Sequence, residues 1–169
     1  MKGSVHLLSG FIVGPGIIIG SAYAGHLISP EYITPMIGAC VLGSIFPDID
    51  NKNSMVGKPM FLLRWYQGTL KHRDKITHTP LFLLISLIFI SQLYQGIYLT
   101  PVMLGWAAGY LTHLLLDTFT RGGIRWVPFM KKITLLKIPS GAFGETLLMI
   151  TLCVPISFIA SIVATNIQL

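Results

Sequence analysis

Long apolar stretches alternate along the chain with short polar ones, and the apolar stretches have the length of a bilayer crossing. Residues 5–28, 80–99, 101–119 and 145–165 each meet the requirement of roughly 17–25 mainly apolar residues for a spanning helix. A fifth stretch, 32–46 ("YITPMIGACVLGSIF"), is short for a span and predicts either a thin fifth helix or a re-entrant one. The expected fold class is therefore all-α, a polytopic membrane helical bundle of about five transmembrane helices. Residues 1–169 form a single integral membrane domain, since no repeat, low-complexity tract or linker divides them. Glycines recur four residues apart, Gly10 with Gly14, Gly16 with Gly20 and Gly105 with Gly109. This is the small-xxx-small spacing that lets membrane helices approach closely.

Composition agrees: 53% of residues are hydrophobic and 11% charged, less than half the charged share of an average soluble domain. Mean hydropathy is +0.71. In a soluble protein the net charge of +6 would suggest a nucleic-acid partner. Here the basic residues cluster by position. Lys52, Lys58, Arg64, Lys71, Arg73 and Lys75 lie between the second and third apolar stretches, and Arg121, Arg125, Lys131, Lys132 and Lys137 between the fourth and fifth. Lys2 precedes the first, while the turns 25–35 and 95–101 carry no lysine or arginine. The positive-inside rule then puts the N-terminus and both basic loops on the cytoplasmic side, and no nucleic acid is expected as a partner. Lys2 and the Ala22-Tyr23-Ala24 pattern also suit a signal peptide, but Gly14, Pro15 and Gly16 interrupt the apolar run and favour a retained first helix. Cys40 and Cys153 both fall in apolar stretches and read as small buried hydrophobes.

The chemistry lies in the sparse polar residues. Eight of the eleven Asp, Glu and His residues fall in four short clusters: His6; Asp48 and Asp50 in "PDID"; His72, Asp74 and His78 in "HRDKITH"; and His113 with Asp117 in "HLLLD". On the expected topology all four clusters meet at the cytoplasmic face. His113 and Asp117, four residues apart, share one side of a helix, a spacing that offers two ligands to one metal. Asp48 and Asp50 after Pro47 are expected to be extended, with both carboxylates pointing the same way. Thr79-Pro80 reads as a helix N-cap and first position, leaving His78 at the entrance. Thr120 and the glycines at 122 and 123 are expected to end the fourth helix, the glycines by adopting positive φ. Imidazole plus carboxylate is the donor set of a divalent metal, Zn²⁺ foremost, with Mn²⁺ or Fe²⁺ as alternatives, as one ion or two. The candidate metal ligands are His6, Asp48, Asp50, His72, His78, His113 and Asp117. Asp74, between Arg73 and Lys75, reads as a solvated loop charge, and His26 belongs to the opposite face. "DIDNKN" lacks the glycine and glutamate of a calcium loop, which rules out an EF-hand.

Taken in order, the N-terminal histidine, "FPDID", "HRDKITHT" and "GYLTHLLLDTFTRGG" followed by "WVPF" resemble a bacterial family of membrane-bound, metal-dependent hydrolases, some described as regulated by the LexA repressor. The matching positions are His6, Asp48, Asp50, His72, Arg73, Thr77, His78, Thr79, His113, Asp117, Thr120 and Gly123, and Asp74 stands where the family usually has a small residue. The resemblance implies a metal-dependent hydrolase of the bacterial inner membrane. Asp48, Asp50 and Arg73 are the residues expected in catalysis. With two metals, one of the two aspartates would bridge them and the other would act as general base or orient a histidine, while Arg73 would grip an anionic group in a bidentate manner. The expected partners are membrane lipids and an anionic small-molecule or lipid substrate, with a phosphoester favoured. Two other classes compete: a divalent-cation transporter, disfavoured because the middles of the third and fifth helices hold no acidic or histidine residue, and a membrane protein whose metal only ties helices together.

Overall fold

The computed structural model describes residues 3–69, 76–128, 130–139, 143–167 and 169. Six α-helices carry the described fold: α1 Gly3–Tyr23, α2 Pro30–Ile45, α3 Arg64–Thr69, α4 Pro80–Leu93, α5 Leu99–Thr118 and α6 Phe143–Asn166. Among the described residues there is no strand, only isolated bridges pairing Thr120 with Ile138 and Ile124 with Ile133. The all-α membrane bundle is the architecture found.

The apolar pattern predicted five helices and five apolar helices form, but their lengths are redistributed. Four are long and apolar enough to cross a membrane: Gly3–Tyr23, Pro30–Asp50, Leu99–Thr118 and Phe143–Asn166. The stretch expected to be short reaches 21 residues, because Pro30 starts α2 two residues early and a 3-10 turn, Phe46–Asp50, prolongs it. Proline is well tolerated in a first helical turn, where its missing N–H has no intrahelical partner to lose. The stretch expected to span over 80–99 stops at Leu93, where Tyr94 turns extended. Its 14 residues reach only about 21 Å, short of the ~30 Å hydrocarbon core.

Chain direction follows from which residues touch. Gly10 faces Val41 and Ser44 while Gly14 faces Ile37, so α1 and α2 run antiparallel. Gly105 lies against Met36 and Gly109 against Cys40, so α2 and α5 run parallel. A Cβ at Gly109 would collide with the Cys40 carbonyl, and one at Gly105 with the Met36 carbonyl. The α2–α5 contact therefore depends on these two positions and on Gly43 of α2, where a Cβ would meet the Trp106 carbonyl. Gly16 and Gly20 similarly admit Ser157 and Ser161, making α1 and α6 parallel neighbours. All three glycine pairs read from the sequence are helix contacts. A smaller cluster of Leu83, Tyr110, Leu114 and Ile124 seats α4 against α5, with Trp106 Nε1 donating to Ser86 Oγ at 2.9 Å.

These directions bring five termini to one end of the bundle: the starts of α1, α4 and α6 and the ends of α2 and α5. His26 is at the other end, its Nε2 2.8 Å from the Leu169 carbonyl. The return loop after α5 folds back by paired backbone bonds between Ile124 and Ile133 and by Leu135 N–H donating to the Thr118 carbonyl at 3.0 Å. Helix α5 ends without a glycine cap. Thr120 Oγ1 donates to the Asp117 carbonyl at 2.9 Å, and Phe119 stays right-handed. Gly123, at φ +54, turns the loop instead, in a left-handed conformation that favours glycine and with no room for a Cβ beside Ile133 and Thr134.

Candidate metal centre

His113 and Asp117 project from the last two turns of α5, as their spacing requires, with Nε2 and Oδ2 3.8 Å apart. The 3-10 turn at the end of α2 supplies Asp48, whose Oδ1 is 3.7 Å from His113 Nε2 and 3.7 Å from His78 Nε2. The short 3-10 turn Ile76–His78 supplies His78, held by the N-cap of α4, where Thr79 is extended and its side chain accepts from Phe82 N–H at 3.4 Å. His78 Nε2 lies 3.4 Å from His113 Nε2 and 3.9 Å from Asp117 Oδ2. Four donor atoms from three separate elements thus converge with five of their separations between 3.4 and 3.9 Å. Donors about 2.0–2.2 Å from a tetrahedral ion stand roughly 3.3–3.6 Å apart, so the cluster is close to the size of a single divalent cation.

The fourth cluster joins from α1. His6 stacks on His113 with ring centroids 3.7 Å apart, and its Nε2 lies 3.4 Å from Asp117 Oδ1. Asp117 therefore turns one oxygen to His6 and the other to His78 and His113. His6, His113 and Asp117 form a second donor group beside that of Asp48, His78 and His113. All five residues are buried, and His6 Nδ1 has no hydrogen-bond partner among the described residues.

The imidazoles of His78 and His113 are fixed from behind. His113 Nδ1 is 2.7 Å from the Ser44 carbonyl, an acceptor only, so this nitrogen carries the proton and Nε2 presents its lone pair. His78 Nδ1 is 3.3 Å from Asp50 Oδ2, which also accepts from Thr77 Oγ1 at 3.0 Å. Burial works against protonation of His78, but the neighbouring carboxylates of Asp48 and Asp50 outweigh it and hold its pKa above the ordinary histidine value. A pocket that attracts a proton between carboxylates in this way suits a divalent cation equally well.

The two aspartates of "PDID" do not point the same way as an extended chain would have them. Residues 46–50 form a 3-10 turn because Pro47, at its start, keeps a φ the turn accepts. Asp48 then faces Nε2 of His78 and Asp50 faces Nδ1, so the pair brackets one imidazole. His6, Asp48, Asp50, His78, His113 and Asp117 are brought together; His72, Arg73 and Asp74 lie outside the described residues. Three contributors escaped the sequence reading. Tyr110 donates its hydroxyl to the Thr77 carbonyl and steadies the turn that carries His78. Its place three residues before His113 on the same helix side was a legible signal. Gln67 Nε2 donates to the carbonyls of Ile49 and Gly57, at 2.9 and 3.0 Å, tying α3 to the aspartate turn. Ser44 acts through its backbone carbonyl, which leaves no trace in a pattern of side chains.

Comparison with known proteins gives a family and no function. The Bacillus subtilis (strain 168) protein named "Uncharacterized protein YvsG" is 29% identical over 116 residues, 68% of this chain and 71% of the relative. No solved structure matches. The family model described as YdjM inner membrane protein matches residues 1–167, which contain every one of the histidine and aspartate motifs. The chain is a member of the YdjM inner membrane protein family.

Proposed function

We propose that this protein is a metal-dependent hydrolase of the inner membrane, acting on a phosphoester at the membrane face where the four clusters meet. One observation carries the reading: Asp48 Oδ1, His78 Nε2, His113 Nε2 and Asp117 Oδ2 converge at single-ion spacing, and both imidazoles are set from behind as metal-binding histidines are. Those four residues would hold the ion. Zn²⁺ fits the donor set best, with Mn²⁺ or Fe²⁺ as alternatives. Asp50 positions His78, and His6 with Asp117 Oδ1 offers a place for a second ion. Asp117, with one oxygen towards His6 and the other towards His78 and His113, would then serve both ions.

A divalent ion bound here would supply a Lewis acid and an acidified water near neutral pH. The chain's own part is to exclude bulk water and to manage the proton. The side chains of His78, His113 and Asp117 are 0–1% exposed, whereas that of Asp48 retains 10%. Asp48 therefore faces the approach, and its carboxylate is the proton acceptor during attack. Asp50, occupied by His78 and Thr77, is a positioning residue. Arg73, five residues before His78 in the sequence, takes the anionic group of the substrate. Lys52, Lys58, Arg121 and Arg125 belong to the loops at this same end, which supports a cytoplasmic orientation for it.

The test is purification in detergent with metal analysis, then hydrolysis assays on phospholipids and generic phosphoesters with wild type and His113→Ala. Stoichiometric metal and turnover in wild type, both lost in His113→Ala, is the expected result. A metal-free wild type would sink the proposal. Metal without turnover would favour a purely structural ion, a reading that the near-complete burial of three of the four ligands also suits.

A further inference from the structure

Away from the metal centre, an apolar groove of about 350 Å³ runs between α5 and α6. Leu104, Leu111 and Leu115 line it from α5, Ile156 and Val163 from α6, and Trp126 from the return loop. The α5 leucines share one side of the helix. His113 and Asp117 each stand two residues on from a lining leucine, about 200° round the helix axis, so the groove backs away from the metal centre. Both helices are membrane-spanning, and Leu111 and Val163 are exposed at the rim, so the groove opens sideways into lipid. At the end nearest the metal centre, Trp126 Nε1 donates to Thr118 Oγ1 at 3.0 Å, which places an aromatic ring at the interface depth that tryptophan favours.

The loop that carries Trp126 has a complementary character. Between Asp117 and Glu145 there is no acidic residue, while Arg121, Arg125, Lys131, Lys132 and Lys137 are basic. Exposed Val127, Met130, Leu135 and Leu136 alternate with these cations. Cationic and apolar side chains interleaved in the loop whose Trp126 lines the groove suit one class of ligand, a lipid with acyl chains and a negative headgroup.

The geometry points to a phospholipid site separate from the metal centre: an acyl chain of an anionic phospholipid lies in the α5–α6 groove, with its phosphate at the basic loop 121–137. The positive-inside rule alone would account for the lysines and arginines. It does not account for a groove ending at a tethered tryptophan beneath them.

Native mass spectrometry of the full chain in detergent, titrated with phosphatidylglycerol or phosphatidylcholine, tests this. Wild type is expected to retain phosphatidylglycerol at a concentration at least about tenfold below that needed for phosphatidylcholine. Leu111→Trp, which fills the groove from its open rim, should lose that retention by about tenfold. The double variant Lys131→Gln, Lys132→Gln leaves the groove intact and should bring the two lipids level. Equal retention of both lipids by wild type, or unaltered phosphatidylglycerol retention in either variant, would overturn the proposal. Gel filtration and helical circular dichroism show whether Leu111→Trp is folded. If it is not, the lysine pair alone decides. None of these readouts depends on metal or turnover.

Discussion

At the scale of single residues, the centre separates groups that would touch an ion from groups that aim them. Asp50→Asn keeps the shape of the 3-10 turn but weakens the acceptor for His78 Nδ1–H. Metal affinity, measured by competition with a chelator, should fall about 10–100-fold without abolishing binding. His78 also fixes the response to pH. A raised histidine pKa means the proton competes with metal from a higher pH than at an ordinary histidine, so affinity should fall as pH drops through that value. In the metal-free protein the sign reverses. Stability from the protonated His78 is fully present below the unfolded-state pKa and is lost as pH rises through the higher folded one. Thermal unfolding followed across this range, with and without Zn²⁺, should show the metal-induced gain widening towards higher pH. The residue types and their clustering were legible because ionisable groups are so scarce in an apolar chain. Their division of labour was not, since it depends on Pro47 starting a 3-10 turn and on the backbone carbonyl of Ser44.

At the scale of helices, the α2–α5 contact is set by Gly105 and Gly109, and it carries Asp48, His113 and Asp117 into register. Gly109→Ala should destabilise the bundle by about 1–3 kcal/mol, because a methyl group meets the Cys40 backbone and no flexible side chain is there to yield. Gly38→Ala, on the same α2 but with open space at its Cβ, should be neutral or slightly stabilising. Thermal stability of the two variants in one detergent makes the comparison. Glycine spacing announced this contact in advance, because close approach requires the absence of a side chain. Helix length was less legible. Hydropathy marks where a chain is greasy, and the stop at Leu93 comes from a backbone turn inside an apolar run, whereas the prolongation of α2 comes from a turn inside a polar one.

For the whole molecule, four spans plus the short α4 leave both basic loops and the metal centre at one end. Cysteine labelling reads the orientation directly, since Cys40 and Cys153 are fully buried and give little background. Lys58→Cys and Arg121→Cys should react only with a reagent admitted to the cytoplasm, and Gln95→Cys with one added outside. The reverse pattern would overturn the cytoplasmic placement of the centre. The convergence of four clusters followed from counting crossings, and it survives the change in which segment is short because α4 still starts and α5 still ends at the same face.

The parallel pairing of α1 with α6 has a consequence for how the protein is made. Ser157 and Ser161 reach Gly16 and Gly20 only once α6 has been made, whereas Gly10 and Gly14 of α1, which carries His6, find Val41, Ser44 and Ile37 as soon as α2 follows. The donors on α2, α4 and α5 can gather earlier. His6 can therefore reach His113 and Asp117 as soon as α5 is in place, and α6 closes the opposite side of α1 afterwards.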